Sequence, residues 1–269
     1  MKKNFLLAAS MLAGLIPFYS CNKTDDLVET PKPYAVSYTD SIIYLKPSAG
    51  DYIVNPVKTA PGIYAGFPEG IEIDDNTGAI NVSKSETGLR YRITHTAPDG
   101  KVTETKVVLS GITFKDHFYY LSNDDSIALP IYNADPNRIL PLNGSVFDEG
   151  NLANSGGCSV KTDNGRINLK ETIRNGVFGF PPRNDAQQTF EIRYRINDAS
   201  GKTENKLKVL LYWYNTINDV PQYVWDILND RTSQGVFLRQ GTSAPAINEI
   251  LGAERVAKPR PPCVIIIAN

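Results

Sequence analysis

"YRITHTAPDGKVTETKVVL", Tyr91–Leu109, and "YRINDASGKTENKLKVL", Tyr194–Leu210, are two versions of one phrase in a single chain of 269 residues. The second is preceded by Phe190, so that Phe190, Ile192, Tyr194 and Ile196 alternate with Glu191, Arg193 and Arg195. A period of two puts one set of side chains in a core and the other in water, which is the signature of a half-buried strand. A helix would scatter the same residues around its circumference. Asp99-Gly100 and Ser200-Gly201 then supply turns in which glycine can take positive φ, and a second strand follows in each case, through Leu207, Val209 and Leu211 in the later copy.

Working outward, the duplication extends upstream. "NTGAINV" (Asn76–Val82) corresponds to "DNGRINL" (Asp163–Leu169), and Asp40-Ser41-Ile42 to Asp125-Ser126-Ile127. The offset grows from 85 residues to about 100 because the second copy carries extra residues around Arg174–Gln188. An internal repeat of this period means two similar domains in series. Short strands and turn signals at this density make each a β-sandwich.

"GIEIDDNTGAI" (Gly70–Ile80), followed by "YRITHTAPDGK", resembles bacterial cadherin-like and putative immunoglobulin-like repeats, in which a strand, a D-x-x-T-G-x-I turn and a later Asp-Gly hairpin recur. The second copy keeps Gly165, Ile167, Asp198 and Gly201 but lacks the Ile-Glu-Ile strand and the threonine. The resemblance implies a mainly β protein with two tandem Ig-like/cadherin-like sandwiches, at 34–115 and 116–217, used for extracellular binding, spacing or adhesion. It also raises calcium, which takes six to eight oxygen ligands. Asn123, Asp124, Asp125, Asn133, Asp135 and Asn137 are concentrated near the junction. The linker acidic run and paired acidic motif of true cadherins are missing, so solvated turns are the favoured reading and no cofactor is expected.

After Leu211 the pattern changes, and 218–269 reads as a small C-terminal α/β appendage. In "DVPQYVWDILNDR" Asp219 is placed to cap a helix, with Val220, Val224, Ile227 and Leu228 on one face. "GVFLRQ" (Gly235–Gln240) reads as a strand and "SAPAINEILGAERVA" as a second helix. Val264–Ile267, apolar on both faces, reads as a buried strand.

The start of the chain bears on location. Lys2-Lys3 precedes a fourteen-residue uncharged apolar stretch, Phe5–Phe18, too short to span a membrane. A positive head, a short apolar middle and small residues near a cut site form a secretory signal, residues 1–20. Ser20-Cys21 resembles the end of a bacterial lipobox, although Phe18-Tyr19 depart from its usual aliphatic and small residues. Asp25-Asp26 resembles the export signal of outer-membrane lipoproteins of the Bacteroidota. The resemblance implies acylation (palmitate) of Cys21, a polar tether over 21–33, and residence on the outer membrane facing the exterior. Ordinary secretion with a plain Cys21 thiol is the alternative.

Without residues 1–20 the chain loses Lys2 and Lys3, leaving 26 basic residues of 28 against 29 acidic, a net charge of −3. No basic excess favours nucleic acid. Cys158 and Cys263 form an even pair that can make a disulfide in an oxidising compartment, with two separate buried thiols as the alternative. Metal spacing is absent: His95 and His117 are the only histidines, and His95 reads as a solvated turn residue. No nucleophile elbow, phosphate loop or zinc-peptidase helix occurs, and Asp148-Glu149 reads as a loop charge pair, so an enzyme is not expected. Tyr212, Trp213, Tyr214, Tyr223 and Trp225 could stack on sugar rings, or else fill the seam between sandwich and helix. A glycine-rich insertion, Val177–Arg183, offers a protruding loop. The expected function is a non-catalytic surface binding or spacer module. The alternatives are a glycan-binding accessory lipoprotein of a polysaccharide-uptake system and a subunit of a surface adhesin or assembly, with a polysaccharide or a surface protein as partner.

Overall fold

The computed structural model describes residues 33–233 and 261–269. The signal, the Cys21 site and the expected elements over 235–257 lie outside the described residues. Within them the chain is mainly β: two sandwiches in series, followed by a C-terminal helix and strand.

The first sandwich contains β1 (Ile42–Ile43), β2 (Ile53–Val54), β3 (Ile63–Phe67), β4 (Ile80–Asn81), β5 (Arg90–Thr96) and β6 (Val102–Leu109). One sheet has the order β1-β6-β5-β3, with β1 parallel to β6 and the other pairs antiparallel. The opposing layer is the antiparallel β2–β4 ribbon. The alternation read from the sequence is literal in β5, where Tyr91, Ile93 and His95 point inward. Between the layers lie Val36, Ile43, Tyr64, Ile80, Leu89, Tyr91, Ile93 and Leu109 among others. Tyr91 donates its hydroxyl hydrogen to the carbonyl of Glu86, five residues upstream, at 2.8 Å. This satisfies a polar tip on a buried ring and pins the entry to β5.

The second sandwich begins immediately, with β7 (Ile112–Phe114), β8 (His117–Tyr120), β9 (Ile127–Ala128), β10 (Pro130–Tyr132), β11 (Val146–Phe147), β12 (Ile167–Asn168), β13 (Ala186–Arg195) and β14 (Asn205–Tyr214). Short helices α1 (Leu152–Ser155) and α2 (Leu169–Arg174) flank β12. The chain then forms α3 (Gln222–Ser233) and a last strand, β15 (Cys263–Ile267). The large sheet has the order β11-β13-β14-β15-β8. β15 runs parallel to both neighbours, pairing Trp213↔Ile266 on one side and Ile266↔Tyr119 on the other.

The NTGAI-type turn is duplicated in atomic detail. In the first copy Gly78 N–H donates to Asp74 C=O, Asp74 N–H to Ala79 C=O, and Tyr64 N–H to Asp75 C=O. Gly165→Lys161, Lys161→Arg166 and Phe147→Thr162 repeat all three bonds. The bridge Ile73↔Ile80 recurs as Val160↔Ile167, so Val160 occupies the place of the strand that the second copy's sequence seemed to lack. In both copies a positive-φ glycine lies against an aromatic ring: a Cβ on Gly78 would sit 2.7 Å from Tyr64, and one on Gly165 2.8 Å from Phe147.

Two correspondences do not survive. Ile127 pairs with Asn168 in the β9–β12 ribbon, as Ile53 pairs with Asn81, whereas Ile42 lies in β1 against β6. The Asp-Ser-Ile triplets are therefore not equivalent. Similarly, the first hairpin ladder closes at Thr96↔Val102, five residues beyond Tyr91, while the second closes at Tyr194↔Asn205 itself. The same tyrosine letter thus sits at the start of its strand in one copy and at the turn end in the other.

Two cores flank the second large sheet. Its inner face, with Phe147, Ile192, Tyr194, Val209, Leu211, Trp213, Val264 and Ile266, packs with Phe114 of β7 to fill the sandwich. Its outer face, with Phe118, Tyr212, Tyr214, Cys263, Ile265 and Ile267, is covered by Val220 and Val224, with Trp225, Ile227 and Leu228 packed against it. The helical face read from the sequence is therefore the buried one. Its start differs: Asp219 closes a capping box with Thr216 around a preceding 3₁₀ turn, and α3 begins after Pro221.

Candidate functional site

The aromatic group divides by strand alternation. Tyr212 and Tyr214 are buried under α3, and Trp213 is buried on the opposite face against Phe178, ring centroids 6.1 Å apart. Trp213 Nε1 donates to Asn215 Oδ1 at 3.1 Å. Trp225 is half-buried with its ring 4.5 Å from Phe118, and Tyr223 is exposed. Burial holds the Tyr214 hydroxyl protonated, with Tyr223 and Asp185 reinforcing the upward shift. Among the five, Tyr223 presents the open ring. In the Val177–Arg183 insertion Phe178 is buried and Phe180 is 77% exposed.

Cys158 and Cys263 are both buried thiols outside any disulfide, on opposite sides of one sheet. Burial pushes the Cys158 thiol up to about 12. Because the thiolate is the reactive form, native protein should leave Cys158 unmodified by an aromatic disulfide reagent at pH 8, with labelling appearing only in denaturant. Labelling of the native fold at the rate of an open thiol would contradict this burial.

His95 also departs from the expected solvated turn. His95 is buried in β5 opposite Tyr64, its ring 4.7 Å from Tyr34 and 4.6 Å from Tyr64, with Nε2 3.1 Å from the Pro61 carbonyl. Its alternation with Ile93 and Tyr91 signals this, but a polar residue beside a turn hides it. His117 Nε2 stands 3.7 Å from Asp125 Oδ2, and its pKa is lowered by burial first, then by Lys115, against the pull of Asp125. Asp148 is not a loop charge: it is buried and accepts from Ala153 N, Asn154 N and Asn154 Nδ2. Glu149 pairs with Arg195 at 2.6 Å. Among the described residues no cluster of three or more His, Cys, Asp and Glu is arranged for a metal, and Asp124 is taken by Lys170 at 2.6 Å.

The joint between the sandwiches is a polar construction that the sequence does not reveal. Ser110-Gly111-Ile112 joins β6 to β7. Gly111 N–H donates to Asn133 Oδ1 and Gly111 C=O accepts from Asn133 N, both at 3.0 Å. Tyr194, from the second copy, accepts the Ile112 N–H at 3.2 Å, and its hydroxyl lies 3.0 Å from that of Thr87 in the first. Asn205 Nδ2 donates to Thr87 Oγ1 at 3.0 Å. Beside it, Asp198 Oδ2 accepts from Tyr132 at 2.7 Å and from Ser110 at 3.3 Å. Tyr194 is wholly buried, and that burial pushes its pKa up to about 12 despite the bonds from Thr87 and Ile112. A hydrogen-bonded, largely buried network of this kind holds two bodies in one geometry.

Tyr194→Phe should therefore leave the Ile112 N–H unsatisfied and cost about 1–3 kcal/mol in urea unfolding. Tyr91→Phe, which releases the part-buried Glu86 carbonyl, should cost less. Equal losses would mean that the joint carries no special weight.

Comparison with known families and with curated proteins gives no match. Among solved structures, the chain has 10% identity to Drosophila N-cadherin EC1-4, covering 66% of this chain and 49% of that one, with a TM-score of 0.21. It has 10% identity to murine CEACAM1b, covering 64% of this chain and 94% of that one, also with a TM-score of 0.21. The chain thus spans about half the length of the cadherin fragment. At this level of likeness the fold rests on its own strand pairing.

Proposed function

We propose that the protein is a non-catalytic module that binds or spaces at the cell surface, held on the outer membrane through an acylated Cys21. The observation that supports this reading best is the buried joint around Tyr194 and Gly111. A spacer transmits position only if its domains do not swing, and a direct Ser110-Gly111-Ile112 connection tied on both sides meets that need. The lipobox-like Ser20-Cys21 and the polar residues after it supply the attachment, and more than one acyl chain suffices for stable anchoring.

The test is metabolic labelling of the full chain with an alkyne fatty acid in a bacterium of the matching envelope type, with antibody access on intact cells. Label that disappears in Cys21→Ser, together with surface staining, is the expected result. An unlabelled, periplasmic product defeats the reading. The glycan-binding alternative is supported by the exposed Tyr223 ring and the half-buried Trp225 on the same helix. It requires a saturable change in tryptophan fluorescence with a soluble polysaccharide, abolished by Tyr223→Ala or Trp225→Ala.

A further inference from the structure

The two sandwiches differ at one edge, and the difference is a strand. In the first, β1 pairs directly and in parallel with β6. In the second, β8 and β14 hold the corresponding positions but do not touch as a pair. β15 stands between them, parallel to both. The second sheet is thus a sheet opened by one strand's width and refilled from the far end of the chain.

The slot is specific. All five residues of β15 are fully buried. Val264 and Ile266 complete the core of the sandwich, while Cys263, Ile265 and Ile267 complete the core beneath α3. At its entrance the buried Asp116, just before β8, accepts the Cys263 N–H through Oδ1 at 2.6 Å. That bond fixes the register, because a slip by one residue would exchange the two faces. Without β15 the slot would leave two apolar cores and two strand edges open, the condition that invites strand addition.

We propose that this strand is exchangeable and that the slot of one molecule accepts β15 of a second copy, linking the molecules by C-terminal strand donation. Two features point to this occupant. The chain itself carries a sequence matched to both cores and to Asp116. And 27 residues separate Ser233 from Pro261, a contour of roughly 90 Å at about 3.3 Å per residue, several times the length of the strand. The inference goes beyond the surface-module reading and does not depend on the anchor, on Tyr223 or on any ligand.

The test uses residues 21–269 with Cys21→Ser, as unlabelled and ¹⁵N-labelled preparations. They are mixed, held in urea below the unfolding midpoint, returned to buffer and weighed by native mass spectrometry. Mixed light–heavy oligomers, about half of the dimers for random pairing, are expected. A second arm asks whether β15 is the exchanged element. Leu210 and Cys263 are register partners on the α3 face. A single chain with Leu210→Cys and Cys158→Ala first establishes that the two positions bond. Should they not close, the next register pair, Leu211→Cys with Val264→Cys, replaces them. Heavy chains then carry the β14 cysteine alone and light chains the β15 cysteine alone. A reducible light–heavy disulfide places one molecule's strand in the other's slot. Monomers only, after mixing, overturn the proposal, and so do mixed dimers that show no light–heavy disulfide with a pair proven to close within one chain. In the second case the association uses another surface.

Discussion

Ile266→Asp should unfold the second sandwich. Ile266, the fourth residue of β15, is fully buried, pairs with Trp213 and Tyr119, and points into the inner core. An unpaired carboxylate there must be desolvated or protonated, and the isoleucine's own burial is lost as well. Together these put the cost above about 4 kcal/mol, a large part of the stability of a domain this size. The check is urea unfolding followed by near-UV circular dichroism, which reports Trp213 and the surrounding tyrosines. Asn269→Asp is the control, since Asn269 is exposed past the end of the sheet and the change should stay within about 0.5 kcal/mol. An unchanged midpoint for Ile266→Asp would mean that β15 does not belong to the sheet. The variant also bears on strand donation: a chain with an aspartate in β15 should become a poor donor to any slot.

The second large effect is expected at Gly88→Ala. Gly88 has φ of +80°, and a Cβ there would lie 2.6 Å from both the carbonyl carbon and the oxygen of Ile112. Those are backbone atoms at the start of the second sandwich, so no side chain can turn aside. Backbone strain and the clash together should cost about 2–4 kcal/mol and loosen the joint. Gly100→Ala separates the two causes. Gly100 has nearly the same φ, +83°, with nothing within 4 Å of the added carbon. Only the left-handed penalty applies there, about 1–2 kcal/mol. Urea midpoints measure both variants, and exchange protection of the Ile112 amide measures the joint. If the two substitutions cost the same, contact with Ile112 contributes nothing.

Local periodicity made much of this legible. β5 and β13 alternate in the chain and alternate in burial, and the Asp-Gly hairpin turn at Gly100 falls where the residues place it. The NTGAI turn was legible because its glycine and its flanking isoleucine act within a few residues of one another. The Asp-Ser-Ile alignment failed for the converse reason. Three residues can recur without sharing a strand, and β1 and β9 are told apart only by their partners, β6 and β12. His95 escapes a local reading because its place between Tyr34 and Tyr64 depends on segments brought together from three places in the chain.

The sequence alone determined the class of the fold, the duplication, the alternation that separates Trp213 from Tyr212 and Tyr214, and the burial of Val264–Ile267 on both faces. Each follows from residue types a few positions apart, where the geometry of strand or helix fixes which side chains share a face. Only the tertiary structure decided where those faces go. It sent Tyr194 into the joint instead of a local corner, set Cys158 and Cys263 on opposite sides of one sheet, and placed the last strand between β14 and β8. Those outcomes depend on partners up to 147 residues apart, as Cys263 is from Asp116. Such a partner is selected by the shape and hydrogen bonding of an assembled slot, which no short window of sequence contains.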